Sequence, residues 1–363
     1  MNLVAGRLEP RPPGDRGALL AGTGILRPGE GVILELRDGE GNAGTGEASP
    51  LRGWSPDTPG EAAAGLAALV ARLPAEVPEP PPPRERVGPP ERARELAPAV
   101  ESLLSGLDLS PAARFAAETA LLDLLARRAG VPLHRYLGGA AHPAPLPIHA
   151  LLAGHDPAAV REEIARGLVA GIRAFKLKIG APGRLADEVA AAAAAAELLD
   201  GNGELSLDAN GALPPGEAAA ILERFAGLPV RFAEEPVGGE ALLELARAGA
   251  PLPLAADESL ADPAFLGAVL AEPGIAVLVL KPALLGGLLP LLDAAHRARA
   301  AGKDILVTHA LEGPVAIRAA VAAAFAAGDL LPCGLAPHPF LLPAERAAAP
   351  PVVDGHLLPP GPP

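Results

Sequence analysis

The sequence predicts an α/β fold, a small α+β region followed by a closed barrel of alternating strands and helices. Two observations carry that expectation. From about residue 145, short apolar runs alternate with alanine-rich helical stretches, the texture of parallel strands joined by right-handed crossovers. Seven or eight such units in roughly 190 residues fit a closed barrel better than an open sheet. The chain is 363 residues long and half hydrophobic, enough for a sizeable core. It carries 30 basic and 43 acidic residues, a formal net charge of −13. That sign argues against nucleic acid and against anionic membrane surfaces as partners. The single cysteine, Cys333, excludes an internal disulfide and a cysteine-built zinc site. The first residues lack the apolar core of a signal peptide, so the expected compartment is the cytoplasm.

Taken in order, residues 1–110 read as the α+β region. Residues 31–37 alternate, and Asp38-Gly39-Glu40-Gly41 has hairpin chemistry. A helical pattern covers 61–73. Residues 74–90 form a proline-rich insertion containing Pro78-Glu79-Pro80-Pro81-Pro82-Pro83. It reads as extended linker, the alternative being a ligand for a proline-binding module. Residues 111–144 hold a helix leading into the barrel, with Ser110 at the N-cap, Pro111 opening it and Gly130 ending it. The barrel spans 145–328, with strands at 148–152, 175–179, 205–208, 231–234, 254–257, 277–280 and 305–307. Helices are expected between them at 188–199, 216–225, 241–248, 263–270 and 288–298, with another at 315–326. Residues 329–363 form a C-terminal segment.

The strand ends carry the chemistry, as expected for a barrel. In Phe175-Lys176-Leu177-Lys178-Ile179 the period of two puts both lysines on one face and the apolar residues on the other. The apolar face meets the helices, so Lys176 and Lys178 point inward. Their repulsion is expected to lower a lysine pKa and favour a free amine as general base. Asp208 ends the third strand, Glu234-Glu235 the fourth and Asp257-Glu258 the fifth. Neighbouring strands lie about 4.8 Å apart, so these acids converge. Clustered carboxylates with no Cys or His among them call for a hard cation, Mg²⁺ or a close relative such as Mn²⁺. Lys281 ends the sixth strand, opposite Lys178. The arrangement suits removal of a proton next to a carboxylate, so the expected partner is a small-molecule carboxylate substrate. A Schiff-base lysine is the rival chemistry, and it leaves the acids without a role.

Lys176-x-Lys178, Asp208-Ala209-Asn210, Glu234-Glu235-Pro236, Asp257-Glu258-Ser259 and Lys281-Pro282, in this order, resemble the enolase superfamily, muconate-lactonizing subgroup. Members pair a lysine base with bound Mg²⁺. The resemblance implies a (β/α)7β TIM-like barrel under an α+β capping domain, with the C-terminal segment returning to the cap. It implies Asp208, Glu234 and Asp257 as metal ligands and Lys178 and Lys281 as the acid/base pair. Lys176, Asn210, Glu235 and Glu258 then bind substrate or position the lysines and the cation. Three stretches resemble the o-succinylbenzoate synthase family of menaquinone biosynthesis: 44–56, 307–314, with Thr308, His309 and Ala310 toward the substrate, and 333–336, matching the segment after the eighth strand. Trp54, in a loop of prolines and glycines, reads as a lid residue, the alternative being core packing. His309 reads first as a hydrogen-bonded supporting residue, alternatively as substrate ligand or acid. The implied activity is a hydro-lyase that forms 2-succinylbenzoate. Racemisation of N-succinylamino acids and a non-catalytic barrel scaffold are the alternatives, and a homo-oligomer is open.

Overall fold

The computed structural model describes residues 1–14, 19–21, 24–26, 29–84, 87–152 and 156–361. The cap is built on an antiparallel sheet ordered Ala43–Ala48, Gly31–Asp38, Asn2–Arg11, Ala75–Glu76. Its hairpin forms where expected: Asp38 accepts from the Glu40 and Asn42 amides at 3.0 and 2.8 Å. Alternation buries Val32, Leu34 and Leu36. The helix Pro111–Arg128 lies directly on this sheet. Gly44 and Gly46 make that approach possible, since a Cβ on them would sit 2.2 Å from the Ala120 carbonyl and 1.8 Å from that of Ala116. Ser110 holds the N-cap position, but its hydroxyl makes no capping bond. Asp57 does that work instead, its Oδ2 accepting from the Ala112 amide at 2.9 Å.

The proline-rich segment is laid down along the cap. Its strand Ala75–Glu76 pairs with Asn2 and Leu3, and Val77 is buried. The buried Arg92 donates from Nη1 to the Pro81 carbonyl at 2.7 Å and from Nε to the Tyr136 carbonyl at 2.9 Å. Arg92 belongs to the helix Pro89–Leu104, which was not read from the sequence, where prolines at 89, 90 and 98 obscure it.

Seven parallel strands form the barrel wall in sequence order: His149–Leu152, Ala174–Lys178, Glu204–Asp208, Val230–Glu234, Leu254–Ala256, Ile275–Leu280 and Asp304–Val307. The helices Pro157–Val169, Leu185–Leu199, Ala218–Glu223, Glu240–Arg247, Pro263–Ala271, Leu288–Ala300 and Pro314–Ala327 follow them in turn. The first of these was not read from the sequence. Closure comes from parallel bridges Ile148 to Cys333 and Thr308 to Gly334, with Cys333 N donating to Pro147 O and Gly334 N to Val307 O. The result is a (β/α)7β barrel. Cys333-Gly334, matched above to a stretch after the eighth strand, is itself the closing segment. No helix among the described residues is long and apolar enough to cross a membrane.

Cap, barrel and C-terminal segment meet at Glu47, which is fully buried. Its carboxylate accepts from the amides of Gly313, Val315 and Ala316 at 2.6, 3.1 and 3.2 Å, capping the helix Pro314–Ala327. Arg11 stands beside it, with Nε 3.5 Å from Glu47 and 2.7 Å from Glu345. The following hairpin, Val352–Val353 with His356–Leu357, pairs onto Leu146–Pro147 at the entry to the barrel.

Candidate active site

Strand register sets the site. Lys178 pairs with Asp208, and Asp208 with Glu234, so three neighbouring strands end level. Phe175 and Leu177 face outward into the core while Lys176 and Lys178 point into the barrel, each under 10 % exposed. Lys176 Nζ lies 2.9 Å from Glu234 and 3.0 Å from Asp208. Lys178 Nζ donates to Asp208 at 2.7 Å and also to Asn210 Oδ1. Across the barrel, Lys281 pairs with Asp257 Oδ2. Beyond the third and fourth strands the backbone turns through left-handed conformations at Asn210 (φ 45°) and Glu235 (φ 38°). That is sparse territory for a side-chain-bearing residue and common where sites hold strain.

The expected neutral lysine is not what forms at Lys176. Burial favours the free amine there, but Asp208, Glu234 and Asp257 outweigh it and push its pKa up. At Lys281 burial is likewise overcome, by Asp257 and Glu258, and the pKa is pushed up to about 12. Burial opposes ionisation of Asp208, yet Lys176 and Lys178 hold it well below the usual carboxylate range. Burial, with Asp208 close by, pushes Glu234 up, and burial with Glu258 pushes Asp257 up.

The acids fit a divalent cation by chemistry. Glu234 Oε2, Asp257 Oδ1 and Glu258 Oε2 are buried without a hydrogen-bond partner among the described residues. Such orphaned oxygens cost free energy unless a cation or donor meets them. No three His, Cys, Asp or Glu side chains among the described residues close on one point as a finished cage. Lys176, bonded to both Asp208 and Glu234, stands between them.

A cavity of about 550 Å³ opens above this floor. Lys176, Lys178, Asp208, Asn210 and Lys281 line its base, and Trp54, Thr308, His309, Ala310 and Phe340 its walls. Trp54, Leu51 and Leu311 pack together, joining the cap loop to the loop after the seventh strand. Thr308 Oγ1 donates to the Gly334 carbonyl at 2.9 Å. His309 spends both ring nitrogens on the backbone: Nδ1 accepts from Leu311 N at 3.1 Å, so Nε2 donates to Ala336 O at 2.9 Å. This is the geometry of a supporting residue. Burial holds it neutral, with a pKa of about 4. The Ala310 amide is taken by Glu312. Glu235 lies below, its carboxylate accepting from the Asp257 and Ser259 amides at 2.7 and 3.1 Å.

The sequence reading missed His149 and His338, both on the cavity wall. His149 lies on the first strand, with Nδ1 3.0 Å from Pro332 O, and His338 Nε2 lies 2.8 Å from Glu312 O. Each depends on partners far along the chain, so no local spacing announces it.

A family model described as enolase C-terminal domain-like matches residues 159–363. A muconate cycloisomerase of Acinetobacter lwoffii is 37% identical over 206 residues, 56% of this chain and 53% of that protein. An o-succinylbenzoate synthase of Mycobacterium bovis is 35% identical over 193 residues, 52% of this chain and 57% of that one. The chain thus spans about half the length of the curated relatives it matches. Among solved structures, a muconate lactonizing enzyme from Pseudomonas fluorescens superposes with a TM-score of 0.84 at 23% identity, covering 99% of this chain and 95% of that one.

Proposed function

Since the chain belongs to the enolase superfamily, we propose that it removes the proton α to a carboxylate and that its reaction is dehydration of 2-succinyl-6-hydroxy-2,4-cyclohexadiene-1-carboxylate to 2-succinylbenzoate. The observation that carries this reading is the cavity floor, where Lys178 and Lys281 stand on opposite walls, each seated on a carboxylate. Asp208, Glu234 and Asp257 would hold Mg²⁺ or Mn²⁺. That ion supplies positive charge to a carboxylate as electron density builds on it.

Lys178 takes the α-proton. The released electron pair expels the hydroxyl group from the neighbouring ring carbon, and Lys178 returns the proton to it as water leaves. Lys281, held cationic beside Asp257, faces the developing negative charge. The resemblance of 44–56 and 307–314 to o-succinylbenzoate synthases supports this substrate over others of the superfamily, as does the sequence match to one such enzyme.

The test supplies purified, Mg²⁺-loaded protein with the cyclohexadiene and, separately, with N-succinylamino acids in heavy water. Rapid aromatic product is expected from the first, and slow or no α-deuterium exchange from the second. Lys178→Ala removes dehydration, because Lys176, the other amine on that face, is held charged by Asp208 and Glu234. Efficient inversion of N-succinylamino acids with negligible aromatic product overturns the dehydratase in favour of a racemase. Undiminished dehydration in Lys178→Ala overturns the mechanism.

A further inference from the structure

One carboxylate oxygen joins the cap to the barrel floor. Glu258 Oε1 accepts from Trp54 Nε1 at 3.1 Å and from Asn210 Nδ2 at 2.7 Å. The other end of the same amide, Asn210 Oδ1, accepts from Lys178 Nζ. Trp54 sits on a cap turn closed by Ser55 N to Leu51 O at 2.8 Å and Leu51 N to Ser55 Oγ at 2.9 Å, with Gly53 at φ +75°. Its ring face lies 4.5 Å from Lys281 Nζ. Glu258 and Asn210 follow the fifth and third barrel strands. A run of side-chain bonds therefore leads from the cap loop to the lysine across three separate segments.

We infer that Trp54, Glu258 and Asn210 form a latch through which seating of the cap loop sets the position of Lys178 Nζ. The direction of each bond argues for it. An indole N–H only donates, so Trp54 fixes Glu258 Oε1 as acceptor. That oxygen then holds the donor end of the Asn210 amide, which turns the acceptor end toward Lys178. With the loop withdrawn, Glu258 loses one of its two donors, Asn210 is free to rotate, and the long lysine stem loses an anchor. Trp54 and Glu258 are thus positioning residues. This inference rests on the reading of Lys178 as base.

Trp54 is the only tryptophan in the chain, so its emission reports on the latch without any substrate. Acrylamide quenching of the Mg²⁺-loaded protein is compared with that of Glu258→Ala, Glu258→Gln and Asn210→Ala. Glu258→Ala raises quenching about twofold or more, because the indole loses the acceptor that holds it. Asn210→Ala raises it in the same direction although Asn210 does not touch Trp54. Glu258→Gln, which keeps an acceptor oxygen, stays near wild type. In turnover of the cyclohexadiene, Trp54→Phe lowers kcat about tenfold with KM changed less than about threefold, since the ring remains and only the positioning bond is lost. Trp54→Phe combined with Glu258→Ala is no slower than Glu258→Ala alone. Wild-type quenching in Asn210→Ala, or losses that multiply in the double variant, overturns the latch. If wild-type protein turns over no cyclohexadiene, the proposed reaction fails while the quenching series still decides the latch.

Discussion

Asp208 takes bonds from two lysine side chains, Lys176 at 3.0 Å and Lys178 at 2.7 Å. Replacing it by Asn keeps the shape and removes the charge both lysines lean on. Turnover of Asp208→Asn is expected to fall at least about a thousandfold, for loss of a cation ligand as well as of lysine positioning. Its urea midpoint should drop by the equivalent of a few kcal/mol, because buried lysine side chains are left underpaired. The near-UV circular dichroism should stay native, since the core is leucine, valine and alanine. Dialysis against a chelator should stop turnover, and Mg²⁺ should restore it; full activity after chelation refutes the cation reading. These residues were legible in the sequence because a period of two and level strand ends are local facts. The charge state of Lys176 was not. It depends on Glu234, 58 positions away, which no pattern within one strand reveals.

Among the elements, the proline-rich segment and the helix Pro89–Leu104 are held together by Arg92, which is 1% exposed. Its guanidinium bonds to two carbonyls and Glu95 and stacks 4.6 Å from the Tyr136 ring centroid. Arg92→Ala leaves those two carbonyls without this donor and Glu95 with Arg84 alone, and should lower stability by about 3 kcal/mol. Thermal unfolding checks this, and an unchanged Tm refutes it. The barrel strands and their helices were legible because apolar runs and alanine-rich stretches differ in period. The first cap strand, Asn2–Arg11, escaped because its pairing partner, not its own alternation, makes it a strand. The closing segment at Cys333 escaped for a related reason, since only two bridges define it.

Across the whole molecule, buried glutamates tie the cap side to the barrel's helix starts. Glu118, on the helix packed against the cap sheet, accepts from Leu289 N at 2.7 Å at the start of Leu288–Ala300. Burial pushes its pKa from 4.5 up to about 7, against the pull of the Leu289 and Leu288 amides and Arg114. The folded state therefore holds that proton more tightly than the unfolded chain. The resulting stability is full below about pH 4.5 and is lost as pH rises through about 7. Glu118→Gln keeps the acceptor and removes the titration. Relative to wild type it should gain about 3 kcal/mol between pH 5 and pH 8, read from urea midpoints. Equal midpoint differences at the two pH values refute the assignment. The Glu47 junction has a consequence in time. Arg11 and Glu345 are 334 positions apart, and Glu47 and Gly313 are 266 apart. During synthesis the cap strands leave the ribosome first, carrying a carboxylate whose amide partners do not yet exist. Contacts this distant in the chain form slowly, after the entropy of closing the intervening loop has been met. The loop that follows Thr308 and His309 thus gains its tie to Glu47 only when residues 313–316 have been made, and Arg11 gains Glu345 later still.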